Sequence, residues 1–258
     1  MRKVIEVNQA SIIRNGRPIL SDITWQMQAG ESWAVVGENG SGKSFLLRLI
    51  AGGEYPTHGR VSVLGSVFGS ANLWELRRRL GFVSDSLQTR YHARVRVADV
   101  VLSGFFSSIG LWDTPSPRQQ KLAGEVLVLL GIQHLAHRLF GELSQGEQRK
   151  VLIARSLVPD PELLILDEPC AGLDFPTREE FLSSLQHLIE RGRNLVVVTH
   201  HIEEIVTGIT HILLMKNGRI AALGPKEEVM TEELLNRVLG YRFSLVEAGG
   251  RYWAHIIH

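Results

Sequence analysis

The chain has 258 residues, with 28 Lys and Arg against 27 Asp and Glu, a formal charge of +1. That length holds one large α/β domain or two small ones, and that balance gives no argument for nucleic acid as a partner. The single cysteine, Cys170, rules out an internal disulfide and fits a reducing compartment. The N-terminus MRKVIEVNQA has no apolar stretch of signal-peptide length, and runs such as 126–131 and 163–166 are far too short to cross a bilayer, so a membrane role has to come through a partner.

In chain order, VIEV, SII and ILSDITWQMQ alternate around Asn15–Gly16 and predict short antiparallel strands before Ala29–Gly30. SWAVVG (32–37) predicts a buried strand running into a glycine-rich loop, and KSFLLRLIAGG (43–53) a helix ended by Gly52–Gly53. VSVLG (61–65) and LGFVS (80–84) predict strands flanking a helical LWELRRR. From about 86 to 158 the period turns helical: VADVVLSGFF, then PRQQKLAGEVLVLL capped by Ser116 with Pro117 at its first position, then a helix opened at Ser144 and ended before Pro159. LLILD (163–167) and NLVVVTH (194–200) predict buried strands on either side of a helix within 176–192. HILLMKNGRIAALG predicts a hairpin around Asn217–Gly218, TEELLNRVLG a helix, and Gly249–Gly250 a strand pair. Apolar strands alternating with helices predict an α/β fold with a mainly parallel sheet, an antiparallel β subdomain and a helical insertion.

Three stretches carry chemistry. GENGSGKS (Gly37, Glu38, Asn39, Gly40, Ser41, Gly42, Lys43, Ser44) matches G-x-x-x-x-G-K-S between a predicted strand and a predicted helix, the context that the motif requires. Its backbone N–H groups and the helix dipole suit phosphates, Lys43 would reach the β and γ phosphates, and Ser44 would offer its hydroxyl to Mg²⁺. Asp167 ends an apolar strand, where an acid holds Mg²⁺, and Glu168 beside it could polarise an attacking water; alone, Asp-Glu-Pro is equally an ordinary strand exit. His200 follows the next buried strand, where an imidazole could contact a γ-phosphate; alone, it would more often be a local hydrogen-bonding residue. A second anion site lies at LSQGEQRK (143–150): Ser144 and Glu147 have capping-box spacing, and Gly146 leaves the first turn open to a ligand.

GENGSGKS, LSQGE, LLILDEP, GLD (172–174) and VTHH stand in the order and approximate spacing of an ABC-type ATPase, and the chain resembles the ATP-binding subunit of ABC transporters from about residue 3 to 225. The resemblance implies a P-loop ATPase, with 1–85 and 159–225 as the ATP-binding core, 86–158 as the helical subdomain and 226–258 as a C-terminal extension. It implies ATP and Mg²⁺ as cofactors, Asp167 for Mg²⁺, Glu168 as catalytic base and His200 as the γ-phosphate switch. It also implies that two chains, copies of this one or similar, associate head to tail. LSQGE, through Ser144 and the backbone near Gly146, would then bind the γ-phosphate of ATP on the partner, with Asp174 in the loop that crosses between them. That answers why one chain carries two phosphate sites. An integral membrane transporter subunit is the further partner implied, with the chain cytoplasmic and peripheral on the inner face of the membrane.

The sequence departs from the family at three positions. Where a glutamine is usual after the LGFV strand stands Asp85, with Gln88 three residues on; either could supply the oxygen donor to Mg²⁺. Where an aromatic residue stacks on adenine stands Arg14, whose guanidinium plane can stack on a base, though a solvated strand-end arginine explains it equally. Phe45 follows Ser44 where a second hydroxyl is common, leaving only its backbone N–H. Phe105, Phe106, Ile109, Leu111 and Trp112 could face a membrane subunit's helix or fill the helical subdomain's core. SGFFSSIGLW and LSQGEQRK look most like subfamilies for molybdate or iron-complex uptake. A soluble ABC ATPase in assembly, such as iron–sulfur cluster assembly, is the alternative; a translation or DNA-repair role fits poorly with one nucleotide domain and a neutral charge balance.

Overall fold

In the computed structural model, which describes residues 2–84, 91–240 and 242–257, the first thirty residues form two long strands rather than several short ones. Strands β1 (Lys3–Arg14) and β2 (Arg17–Gln28) pair antiparallel. The sequence alternation breaks where the register shifts, at bulges around Gln9 (φ 48°) and Asp22 (φ 53°). A bulge inserts one residue and bends a strand without ending it, so a lapse in period here marks a kink, not a boundary. Strands β4 (His58–Val63) and β5 (Ser66–Val67) complete a four-stranded sheet in the order β2-β1-β4-β5.

The second sheet has six strands in the order β10-β9-β3-β8-β7-β6. These are β3 (Ser32–Gly37), β6 (Leu80–Val83), β7 (Leu163–Asp167), β8 (Asn194–Thr199), β9 (His211–Lys216) and β10 (Arg219–Pro225). All neighbours pair parallel except β9 and β10, which form the hairpin around Asn217–Gly218. A parallel sheet is covered on both faces, which is why these strands read as continuous apolar runs. One face sends Trp33, Val35, Ile165, Val196 and Leu213 against helix α1 (Lys43–Ile50) and the four-stranded sheet. The other sends Val36, Leu166, Val197 and Leu214 against the helices. Strand alternation decides which side chain goes where. Leu46, Leu47, Leu49 and Ile50 of α1 are wholly buried, each contributing about 1.5–3 kcal/mol, so the loop before α1 is attached to a fixed element.

Helix α2 (Leu73–Arg78) precedes β6. The helical layer contains α3 (Val97–Leu102), α4 (Pro117–Leu129), α5 (Gln145–Leu157) and α6 (Phe175–Glu190). Ser116 and Gln119 form the capping box of α4. Helix α3 is shorter than its period predicts and continues as a 3₁₀ turn through Phe106, where Gly104 packs on α5; a Cβ there would lie 2.1 Å from the Arg155 carbonyl oxygen. After α7 (Lys226–Val229) and α8 (Glu232–Leu239), strands β11 (Phe243–Ala248) and β12 (Arg251–Ile256) form a hairpin around Gly249–Gly250. Phe243 and Tyr252 are buried in the same core as the helical layer, so this hairpin is seated on the body of the protein.

Candidate nucleotide site

The carboxyl ends of β3, β8 and β7 stand side by side, Val36 opposite Thr199 and Val198 opposite Asp167. Ligands of open α/β sheets bind beyond such ends. The 37–44 loop leaves β3 there, with Gly40 (φ 81°) and Gly42 (φ 103°) in conformations that favour glycine. Gly42 is the N-cap of α1 and contributes no side-chain cap, so the helix dipole and its first N–H groups are open to an anion. Gly37 is confined from behind: a Cβ would lie 2.4 Å from the Met215 carbonyl oxygen. The Ser41 carbonyl accepts from Gly218 N (2.9 Å), and the Gly218 carbonyl accepts from Ser21 N (2.8 Å), which ties the loop to both sheets. Lys43 is buried, and its ammonium donates to the carbonyls of Gly37 (2.7 Å) and Glu38 (2.9 Å). Burial lowers its pKa from the usual lysine value, against the opposing charges of Glu168 and Asp167. The buried Ser41 hydroxyl has no hydrogen-bond partner among the described residues. Glu38, Asn39 and Gly40 are exposed; Ser44 is half-buried in the first turn of α1, and Phe45 lies under the Arg48 guanidinium at 4.2 Å.

Asp167 ends β7, and Glu168 follows it with φ 46°, a left-handed conformation costly for a glutamate. Three bonds hold that conformation. Glu168 N donates to Val198 O (3.0 Å), and its carbonyl accepts from Ala171 N (3.1 Å) and from the Arg149 guanidinium (3.2 Å). The Glu168 carboxylate lies 3.2 Å from Nδ1 of His200, whose ring packs on that of His201 at 4.0 Å. Beside them, the Thr199 hydroxyl accepts from His201 N (2.9 Å) and donates to the buried Glu204 carboxylate (2.5 Å). Burial raises the Glu204 pKa, with the Thr199 bond opposing.

Arg149 gets no role from the sequence motifs. It is 2% exposed and joins α5 to the backbone of Glu168. The available signal was its position three residues after Gly146 on one helix face.

At the N-terminus of α5, Ser144 forms the expected capping box: Glu147 N donates to Ser144 Oγ (3.3 Å), and Ser144 N donates to Glu147 Oε2 (2.8 Å). Burial acts against the Glu147 charge, but the bonds from Ser144 prevail and hold its carboxyl below the usual range. A Cβ on Gly146 would lie 2.8 Å from Leu173 Cδ2, so the helix start rests on the 172–174 loop. Asp174 caps α6 by accepting from Thr177 N (2.9 Å), and bonds from Thr177 hold its carboxyl low. Ser144, Gly146, Glu147, Leu173 and Asp174 share a cavity of about 350 Å³ whose described lining contains no residue of the 37–44 loop.

Arg14 stands at the β1–β2 turn, exposed and ion-paired with Glu54. Phe105, Ile109 and Leu111 pack partly buried against the core, while Trp112 is 83% exposed. Asp85 and Gln88 lie outside the described residues. Among the described residues no helix is long and apolar enough to cross a membrane.

The pattern of the ABC transporter family matches residues 20–171. The chain is 40% identical to the uncharacterized ABC transporter ATP-binding protein YlmA of Bacillus subtilis, over 90% of this chain and 89% of that one. It is 32% identical to the zinc transport system ATP-binding protein TroB of Treponema pallidum (93% and 88% covered). It is 30% identical to the manganese transport system ATP-binding protein MntB of Bacillus subtilis (94% and 95% covered). Among solved structures, a chain of an ABC transporter in an inward-facing conformation superposes with a TM-score of 0.78 at 25% identity, covering 99% of this chain and 97% of that one. The cbiO1 chain of Clostridium perfringens, part of the transporter complex cbiONQ, gives 0.78 at 28% identity (91% and 93%). A dimeric bacterial ABC transporter cassette gives 0.75 at 26% identity (86% and 98%), and a post-hydrolysis state of it holds ADP and phosphate.

The chain belongs to the ABC transporter ATP-binding family. It is the subunit that binds and hydrolyses ATP to power transport, and nothing in these likenesses supports the soluble assembly role.

Proposed function

We propose that the chain acts as a single ATPase domain, divided as its sequence predicts, that binds ATP with Mg²⁺ between two copies of itself and drives a separate membrane subunit from the cytoplasmic face. The observation that carries this reading is the grouping of the Lys43 loop, the Asp167–Glu168 pair and His200 on three adjacent strand ends. In it, the 37–44 backbone and Lys43 hold the phosphates, and Arg14 lies against the base. Ser44 and Asp167 are hard oxygen donors of the kind that Mg²⁺ selects, and Asp85 is proposed as a third. The ion, when bound, neutralises charge on the phosphates. Glu168 accepts a proton from the attacking water, and His200 beside it contacts the γ-phosphate.

The cavity at Ser144 and Gly146 is lined without the chain's own 37–44 loop, which supports its use for ATP held by the other copy, with Asp174 at the crossing. The cargo belongs to metal uptake, on the names of the zinc and manganese relatives. The test is affinity purification of the tagged chain from detergent-solubilised membranes. A polytopic membrane protein should co-elute, and loss of either protein should lower accumulation of a zinc, manganese, molybdate or iron-complex tracer. Recovery from the soluble fraction alone, with tracer uptake unchanged, would overturn the partner and the location.

A further inference from the structure

The C-terminal hairpin grips the segment that follows His200. Arg251, the first residue of β12, donates from Nη1 and Nη2 to the Glu179 carboxylate on α6 (2.5 and 3.2 Å). Its Nη2 and Nε also donate to the Glu203 carbonyl (2.5 and 3.2 Å). Glu203 lies in a 3₁₀ turn, Ile202–Glu204, that begins two residues after His200; Glu204 N closes it onto the His201 carbonyl (3.2 Å). The hairpin's own turn rests on the same segment: a Cβ on Gly250 would lie 2.9 Å from Thr207 Cγ2. Arg178 approaches Glu203 and Glu179 at 3.9 and 3.7 Å, so α6, whose N-cap is Asp174, shares the clamp.

Phe243 and Tyr252 already seat the hairpin by apolar burial. The bonds to a main-chain carbonyl are additional, and they have direction. A guanidinium is planar, always charged and a fork of fixed geometry, so it sets a position where an apolar contact sets only a proximity. The hydrogen bonds from Arg251, helped by its charge, also hold the Glu179 carboxyl below the usual range.

We propose that Arg251 is a positioning residue for His200: through the Glu203 carbonyl it fixes the turn after the histidine, and with it the place of the imidazole beside Glu168. This rests on the role of His200 proposed above.

The test compares full-length Arg251→Ala, Arg251→Lys, Glu179→Gln and His200→Ala with the parent protein. The measurements are kcat and KM for ATP, thermal melting, and ¹H–¹³C spectra of the histidine rings assigned with His200→Ala and His201→Ala. Arg251→Ala should lower kcat about tenfold with KM within about twofold. The His200 and His201 ring signals should move while those of His58, His134 and His137 stay. Arg251→Lys should recover part of kcat, because it keeps one donor. Glu179→Gln, which keeps the volume and removes half of the clamp, should shift the same two signals by less, and it serves if Arg251→Ala does not fold. Unchanged kcat, or a fall in kcat with both ring signals unmoved, would overturn the proposal. Wild-type turnover in His200→Ala would instead remove the role of the histidine, and the ring signals would still decide whether Arg251 positions it.

Discussion

Nδ1 of His200 lies 3.2 Å from Oε1 of Glu168. The two residues leave adjacent parallel strands, with Asp167 in register with Val198, so one strand spacing of about 4.8 Å brings an imidazole and a carboxylate within reach. The pair needs no long loop to assemble, because the sheet brings the two backbones side by side.

Glu168→Gln keeps the size and most hydrogen bonding of the side chain but cannot accept a proton at neutral pH. Hydrolysis should fall by roughly 10²–10⁴-fold, the range of a lost general base. Equilibrium ATP binding should survive, because Lys43 and the loop N–H groups are untouched. Steady-state phosphate release and binding of a fluorescent ATP analogue check the two halves; near-normal turnover would remove Glu168 from the role.

Lys43→Ala removes the ammonium that now donates to the Gly37 and Glu38 carbonyls and would turn to the phosphates. Two charge-assisted bonds of about 1.5 kcal/mol each correspond to roughly a hundredfold loss of ATP affinity. Calorimetric titration of a well-folded variant measures it, and parent-like affinity would sink the phosphate assignment.

Ser144→Arg added to Glu168→Gln should abolish an ATP-dependent dimer seen by light scattering, while each monomer still binds ATP at its own loop. Loss of the cap by itself should cost about 1 kcal/mol, which Ser144→Ala reports separately. If the monomer lost nucleotide binding, Ser144 would be serving its own chain's phosphates.

The phosphate loop was legible in the sequence because its chemistry is local: eight consecutive residues between a strand and a helix. The Ser144–Glu147 cap was legible for the same reason. The conformation of Glu168 was not, since its φ of 46° is held by Val198, Ala171 and Arg149, and Arg149 is 19 residues away in the chain. A hydrogen bond from a side chain to a distant carbonyl leaves no periodicity to read. The long strands β1 and β2 read only as fragments in the sequence, because a bulge and a turn break alternation in the same way. The helical period of the sequence runs past Leu102, because the close approach of Gly104 to Arg155 is a tertiary fact that leaves no mark on it.

Arg79 donates to Glu162 at 2.6 Å, and this bond, helped by Arg2, pulls the Glu162 pKa down to about 2. A pKa lowered by folding adds stability above the unfolded value, about 4.3, and loses it as pH falls through the folded value. Glu162→Gln should therefore lower the urea midpoint at pH 7, begin to converge with the parent below about pH 4, and match it only below about pH 2. Glu162 is 38% exposed, so screening keeps the effect under about 1 kcal/mol. A difference that grew on acidification would contradict the assignment.

Of the chain's three Asn-Gly pairs, the two that join antiparallel strands look interchangeable on paper. At Gly16 an added side chain would meet open space. At Gly218 it would strike the Ile19 carbonyl oxygen at 2.3 Å, and the amide and carbonyl of that glycine are both committed, to Ser41 and Ser21. An epitope tag or fluorescent reporter spliced between Asn15 and Gly16 would leave those bonds in place. The same graft between Asn217 and Gly218 would pull on Ser41 and act as a nucleotide-site lesion from the far end of the sequence.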